Sequence, residues 1–309
     1  MPMPTESPDN LHPGDSDRLT RFLLDRAGVR GVRVHLRDTW AQIRNRDDYP
    51  PAVAEMLGES AAAAALFTGH AKVDGRLSVQ LRGEGHLRTL FAECTAAGTL
   101  RGIAQLAEGD DSPVSRDLRE LGPKSVLAIT IENPGAAGRE PVRYQGMVAL
   151  EADALSEAFE RYFLQSEQLP TRLLLAADDR RAAGLMLQKL PGDAGDEDGW
   201  TRASALFDTL APGELLDWPV ETLLSRLFHE DNPRLLGDKA LSFACSCSRE
   251  RVAAMLESLG PDEARAAVIG GSANIRCEFC GQRYRFAAEE VEDLFSFPTP
   301  QVEAPRGLQ

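Results

Sequence analysis

The stretch that decides how this chain folds lies near the C-terminus: FACSCSRERVAAMLESLG at residues 243–260, followed by CEFCGQRYRF at residues 277–286. It holds four of the five cysteines, as a CxC pair and a CxxC pair separated by 29 residues. Four thiolates surround one Zn²⁺ tetrahedrally at about 2.3 Å, and such closed sites are structural. Cys245, Cys247, Cys277 and Cys280 are therefore predicted to bind one zinc ion per chain.

The CxC pair is the unusual half of this motif, because ordinary zinc ribbons use two CxxC pairs. A single residue between two ligands also partly opposes the convergence of their sulfurs. Two interpretations follow. One is a plain zinc-stabilised domain, and the other is a redox switch, since zinc holds the sulfurs as thiolates, the form that oxidants attack. Residues 241–297 have few apolar residues for a core, so metal binding would supply on the order of 10 kcal/mol of folding free energy.

The charge of the chain excludes several classes of function. Its 34 basic and 48 acidic residues give a formal net charge of −14, which argues against binding to nucleic acid or to an anionic membrane. No apolar run approaches the roughly 20 residues that span a bilayer, and the N-terminus lacks the pattern of a signal peptide. We therefore expect a cytoplasmic protein, with a disordered leader at residues 1–15 and a disordered tail at residues 298–309.

Residues 16–190 predict an α+β domain with helices and a mainly antiparallel sheet. Helices are predicted from Asp17 to Gly28, from Pro51 to Phe67 and from Ala154 to Gln168, on apolar spacing and capping residues. Alternating apolar residues and turn signals predict the strands, at residues 32–36, 77–81, 87–95, 100–106, 125–132, 142–150, 172–177 and 183–190.

Residues 191–240 predict an acidic helical linker between this domain and the cysteine motif. Four basic and 11 acidic residues give the linker a net charge of −7. Helical segments are predicted at residues 203–210, 214–218 and 220–230, before a break at residues 231–237. Their apolar stripes need a surface to lie on, so the helices either pack permanently on the sheet or form a cover that can detach.

Several other reactive residues do not form a predicted site. Cys94 falls in a strand-like segment and is interpreted as a buried apolar thiol. The histidines are scattered, and His229 is interpreted as a helix-end residue rather than a pH-sensitive contact. Arg249 and Arg251 either favour the thiolate of Cys247 or face solvent, and the sequence does not separate these alternatives.

The cysteine motif resembles that of the 33-kDa heat-shock protein family of bacteria, the redox-regulated holdase chaperones. The family signature is CxC, a spacer of about thirty residues and CxxC. The resemblance covers residues 16–297 and includes further motifs, at Tyr162-Phe163, Ser166–Thr171, Gln188-x-Leu190-Pro191, Leu227–Glu230, Cys247–Arg251 and Tyr284-x-Phe286.

This resemblance implies a function and a switching mechanism. The reduced family members bind zinc through the four cysteines and are inactive. Oxidation implies the disulfides Cys245–Cys247 and Cys277–Cys280, release of zinc, and unfolding of the zinc domain and linker. The exposed surface then binds unfolding client proteins without ATP, often as a homodimer. The resemblance thus implies a chaperone of the oxidative stress response and not an enzyme.

Two other functions remain as alternatives on the cysteine spacing. A zinc-ribbon module that binds nucleic acid or another partner would need a basic surface, which the net charge disfavours. A thiol oxidoreductase would need one exposed CxxC at the start of a helix in a thioredoxin-like unit, and four thiols committed to zinc argue against turnover.

Overall fold

The computed structural model describes residues 16–109, 112–135, 140–192 and 194–296. The chain forms two compact units, the first ending at Cys245 and the second beginning at Ser246. The expected leader and tail lie outside the described residues. Within the described residues, no helix is long and apolar enough to cross a membrane.

The first unit contains two sheets. Its strands are β1 (Arg18–Leu24), β2 (Val29–Leu36), β3 (Arg76–Arg82), β4 (Leu87–Thr95), β5 (Thr99–Leu106), β6 (Val126–Asn133), β7 (Val142–Val148), β8 (Thr171–Ala177), β9 (Ala182–Lys189), β10 (Pro233–Ala240) and β11 (Ser242–Phe243). A five-stranded sheet has the order β10-β1-β2-β9-β8, and a six-stranded sheet has the order β11-β5-β4-β3-β6-β7. All pairs are antiparallel except β11 with β5, which confirms the predicted fold class.

The helices of the first unit fall into two groups. Three belong to the predicted α+β domain: α1 (Asp38–Arg44), α2 (Pro51–His70) and α3 (Leu155–Ser166). Three more follow β9: α4 (Gly199–Phe207), α5 (Pro212–Asp217) and α6 (Val220–Phe228). We refer to α4–α6 as the linker helices. The predicted helices at residues 51–67 and 154–168 and the three predicted hairpins are confirmed, whereas α1 is not among the predicted helices. Part of the loop between β6 and β7 lies outside the described residues.

The long helix α2 forms the centre of the first unit. Fifteen of its 20 residues are buried, which is expected of a helix covered on all sides. It contacts strands of both sheets, and its alanine run allows close approach. Gly58 shows how close: a Cβ there would lie 2.5 Å from the Cβ of Ala177 on β8. The apolar core therefore lies between the two sheets, around α2.

The predicted first helix, from Asp17 to Gly28, is wrong, because this segment forms β1. Leu19 packs in the core around α2, whereas Phe22 packs on the other face of the strand, beneath the linker helices. Burial on both faces removes the alternation of a half-buried strand, so the apolar spacing imitates a helix. Asp17 does cap a helix, but its carboxylate accepts backbone N–H groups of Arg37, Asp38 and Thr39 at the start of α1, at 2.8–3.3 Å.

The linker is only partly helical. The linker helices confirm the three predicted segments, and their apolar stripes join one buried cluster with strands of the five-stranded sheet. The expected break at residues 231–237 is wrong, because Pro233–Ala240 is β10, paired with β1. The sequence of β10 contains Pro233 and Gly237 and carries no strand signal of its own, so its conformation depends on its partner.

The second unit is small. Its strands β12 (Val268–Ile269), β13 (Ser272–Arg276) and β14 (Arg283–Ala287) form an antiparallel sheet. Its helices are α7 (Arg249–Leu259), α8 (Pro261–Ala266) and α9 (Ala288–Asp293). Its buried apolar residues are Val252, Leu256, Ala264, Ala273, Phe286 and Val291. This is a thin core, in agreement with the expectation from composition.

Candidate metal centre

The sulfurs of Cys245, Cys247, Cys277 and Cys280 lie within 4.8 Å of one another. The Sγ atoms of Cys247 and Cys280 are 3.5 Å apart, and none of the four thiols is in a disulfide. Tetrahedral zinc with ligands at about 2.3 Å places its sulfurs about 3.8 Å apart. The structure thus brings together all four predicted site residues at distances that suit a metal ion.

The CxxC half of the cluster is a tight turn between β13 and β14. The N–H of Gly281 donates to the carbonyl of Cys277 at 2.9 Å, and the N–H of Cys277 donates to Gln282 at 2.9 Å. Gly281 has a φ of 74°, which a residue without a Cβ adopts at little cost. This turn aims both sulfurs at one point and buries Cys280.

The CxC half joins a short strand to a helix. Ala244 donates its N–H to the carbonyl of Leu100 on β5 at 2.9 Å, which fixes the chain directly before Cys245. After Cys247, the hydroxyl of Ser248 caps α7 by accepting the N–H of Arg251. With the chain fixed in this way, the single-residue spacing does not prevent the two sulfurs from converging.

Two polar side chains contact the cluster: Arg101, which the sequence analysis did not select, and Tyr284, which it quoted as a motif residue without a role at the site. The guanidinium of Arg101, on β5, lies 3.6 Å from the Sγ of Cys245 and pairs with Glu93 at 2.9 Å. Since arginine stays protonated, it favours the thiolate of Cys245. The hydroxyl of Tyr284 bonds to Cys247, and this contact raises the pKa of Tyr284. No local signal marks Arg101, because it precedes Cys245 by 144 positions.

The other reactive residues lie elsewhere. Cys94 is buried on β4, and burial raises the pKa of its thiol to about 12. In the described parts of the chain, no histidine joins the cysteine cluster. His229 is exposed beside Glu230. Arg249 binds Glu290 and lies over the ring of Phe286, whereas Arg251 donates to the carbonyl of Ser246.

An α+β body with four cysteine sulfurs within 4.8 Å of one another, none of them in a disulfide, has a cluster that could hold a metal ion, and zinc suits these ligands. A family model described as "Hsp33 protein" matches residues 17–287. The chain belongs to the Hsp33 family, which confirms the resemblance found in its sequence.

Curated relatives agree with this assignment. The 33 kDa chaperonin of Ectopseudomonas mendocina (strain ymp) is 44% identical over 288 residues, covering 91% of this chain and 96% of the relative. The 33 kDa chaperonin of Pseudomonas fluorescens (strain Pf0-1) is 42% identical over 289 residues, which covers 91% of this chain and 94% of that relative. The crystal structure of the 33 kDa chaperonin of Thermotoga maritima matches with a TM-score of 0.70 at 20% sequence identity. The match covers 90% of this chain and 97% of the Thermotoga chain. This last similarity concerns the fold alone.

Proposed function

We propose that this chain is a redox-regulated, ATP-independent holdase chaperone, inactive when reduced and activated by oxidation. The observation that carries the proposal is the convergence of four cysteine sulfurs within 4.8 Å, none of them in a disulfide. In the reduced form, Cys245, Cys247, Cys277 and Cys280 hold one Zn²⁺, which keeps their sulfurs as thiolates. The chain acts by binding unfolding client proteins in the cytoplasm and not by catalytic turnover.

Oxidation changes the distances between the four cysteine sulfurs, whose shared metal stabilises the second unit. Each pair of thiolates loses two electrons to hypochlorous acid and forms one S–S bond, with release of chloride and hydroxide. The disulfides are Cys245–Cys247 and Cys277–Cys280. A disulfide requires a sulfur separation of about 2.05 Å, so the four-sulfur cluster cannot persist. With a cluster of six buried apolar residues in its described part, the second unit cannot replace the metal's contribution to folding.

The same chemistry acts on the first unit through Cys245, its last residue. A disulfide sulfur carries no negative charge, so the charge-assisted contact from Arg101 is lost. Cys245 lies two residues after β11, which pairs with β5, and β11 follows β10, which pairs with β1. When Cys245 is no longer fixed, β11 and β10, which connect it to the linker helices, are therefore held less firmly on their partner strands.

The linker helices cover apolar surface that suits client binding. Phe207, Leu223 and Phe228 are buried in one cluster with Phe22 and Leu187 of the five-stranded sheet. If the linker helices detach, both sides of this cluster become exposed, and large exposed apolar patches bind other proteins. We propose that the activated chains also associate as homodimers, which would combine two such surfaces.

Zinc content and chaperone activity, measured before and after hypochlorite, test the proposal. A colorimetric chelator should detect about one zinc per chain, released on oxidation, and light scattering of a heat-unfolded test enzyme should fall only with the oxidised protein. Reduction with dithiothreitol and added zinc should reverse both effects. Retention of zinc after hypochlorite, with no gain in activity, would instead indicate a plain zinc-stabilised module.

A further inference from the structure

The linker helices have a second point of attachment, away from the cysteines. Cys245 follows β11, which continues from β10. β10 pairs with β1 from Pro233 to Ala240, with one bulge. Ala240 is the end nearer Cys245, whereas Pro233 follows the linker helices and lies opposite Leu24, the last residue of β1. The two ends of β10 are about 20 Å apart, at about 3.3 Å per residue, so contacts near Pro233 are separate from those of the sulfurs.

The turn between β1 and β2, at residues 25–28, contacts both ends of the linker. Before α4, the N–H of Leu190 donates to the carbonyl of Gly28 at 2.9 Å. The N–H of Asp196 donates to the carbonyl of Arg26 at 2.8 Å. After α6, the N–H of Arg26 donates to the carbonyl of Asp231 at 3.3 Å. The linker helices therefore form a loop whose two ends meet at one turn.

Close backbone packing fixes the first of these ends. Gly28 has a φ of 64° and Gly195 has a φ of 83°, a region that residues with a Cβ adopt only at a cost. A Cβ on Gly28 would overlap the carbonyl oxygen of Ala194. A Cβ on Gly199, at the start of α4, would lie 2.7 Å from the Cα of Ala27. The start of α4 is therefore seated directly on the turn.

One ion pair joins the two ends to each other. Asp231, which follows α6, is fully buried, and its Oδ1 accepts a hydrogen bond from Nε of Arg202 on α4 at 3.0 Å. Arg202 also donates to Asp198 at 2.9 Å and lies 3.6 Å from Asp196. Within the described residues, Oδ2 of Asp231 has no hydrogen-bond partner. The charge of Asp231 is therefore compensated mainly by Arg202, and a buried carboxylate without its cation is strongly unfavourable.

We propose that residues 25–28, Asp196, Arg202 and Asp231 form a clasp that holds both ends of the linker helices and sets how readily they are released. Arg202 is its positioning residue, because it reaches from α4 to the segment after α6. Oxidation releases the helices only once the loosening of β10 reaches the clasp, so a weaker clasp lowers the threshold for release. That the uncovered surface binds clients rests on the proposed function, whereas the clasp itself does not.

Hydrogen exchange on the reduced, zinc-loaded full chain tests the clasp. Arg202→Met leaves the carboxylate of Asp231 buried without its cation, so residues 199–230 should open about tenfold or more often than in the wild type. Strands β3–β6 and the zinc content should remain as in the wild type. The matched control Arg119→Met removes an exposed ion pair with Asp117, outside the linker, and should not change exchange in residues 199–230. Wild-type exchange of these residues in Arg202→Met would overturn the proposal.

A second substitution separates charge from packing. Asp231→Asn removes the buried charge, so the double variant Arg202→Met/Asp231→Asn should open less readily than Arg202→Met. Equal or greater opening in the double variant would show that Arg202 acts through packing and would overturn its role. If Arg202→Met does not fold, Asp231→Asn decides, because loss of the charge-assisted bond should raise the opening of residues 199–230 about threefold or more. Unchanged exchange in that variant would exclude the clasp.

Aggregation assays distinguish the clasp from the proposed function. Reduced Arg202→Met should suppress part of the light scattering of a heat-unfolded test enzyme, while the reduced wild type and Arg119→Met should not. Faster exchange of residues 199–230 without this activity would support the clasp and contradict the client-binding surface. Zinc retained by the wild type after hypochlorite would contradict the redox switch, and the exchange difference between Arg202→Met and the control would still support the clasp.

Discussion

The chemistry of the cysteine cluster is set by the few side chains that touch its sulfurs. Arg101 reaches Cys245 from a core strand, and Tyr284 bonds to Cys247. Both favour negative sulfur, which suits metal binding in the reduced state. Cys94 lies in the opposite environment, where burial keeps the thiol protonated at neutral pH.

Substitution of single cysteines should separate these two environments. Cys94→Ser should leave zinc content and oxidative activation nearly unchanged, because a protonated, buried thiol is neither a ligand nor a nucleophile. Cys277→Ser should lose most of the zinc, since it removes one of four thiolates and the first partner of the CxxC pair. Zinc analysis and light scattering on the two variants check this. Equal losses in both would show that Cys94 belongs to the switch.

At the scale of elements, the linker helices are held on the five-stranded sheet by polar contacts as well as by apolar burial. Arg181, next to β9, pairs with Asp217 at the end of α5, and within the linker Arg202 on α4 pairs with the buried Asp231 that follows α6. His35, fully buried on β2, donates from Nε2 to the carbonyl of Leu216 at 3.1 Å. This last contact requires only a neutral imidazole.

Acid should therefore loosen the linker helices through His35. Burial, and then the nearby Arg33, lower the pKa of His35 from 6.5 to about 4. The unfolded chain thus takes up the proton first, so this stability is fully present above about pH 6.5 and is lost as the pH falls toward 4. The loss is about 3 kcal/mol, at about 1.4 kcal/mol per unit. Tryptophan fluorescence should follow it through Trp200 and Trp218 of the linker, above the constant emission of Trp40, which is buried in the core around α2.

His35→Gln provides the matched control for this pH dependence. Its amide can donate to Leu216 but cannot take up a proton in this range. Between pH 6.5 and pH 4 the variant should lose less linker stability than the wild type. Under the proposed function, acid would also release zinc from both proteins, so the difference between them reports on His35. Identical pH profiles would show that another group controls the transition.

Sequence could predict elements whose signals are local. The hairpin of β4 and β5 and the helix α2 follow from alternation, turn residues and Pro51. β10 could not be predicted in this way, because Pro233 and Gly237 favour a turn and only pairing with β1 makes the segment a strand. The four cysteines could be selected because ligand spacing is local within each pair. Arg101 could not, because it reaches Cys245 only through the pairing of β11 with β5.

At the scale of the whole molecule, oxidation should act selectively. The first unit has a large core around α2 that contains none of the four clustered cysteines, whereas the apolar cluster in the described part of the second unit has six buried residues. On oxidation, the backbone amides of residues 203–230 and 246–296 should therefore lose their protection from hydrogen exchange, while residues 16–190 largely keep theirs. Protection of residues 203–230 that persists while chaperone activity appears would exclude detachment of the linker helices.

The order of the five-stranded sheet has a consequence for how this protein is made. β1 and β2 are synthesised first, yet their outer neighbours are β10 and β9; Arg18 and Asp238, which meet across β1 and β10, are 220 positions apart. At about 5–20 residues per second, ribosomes need roughly 10–40 s to supply the missing strand. During that time the nascent β1 presents Phe22 and an unpaired backbone to its surroundings. The nascent chain thus passes through an aggregation-prone interval, and chaperones that bind nascent chains should matter most before residue 240 has left the exit tunnel.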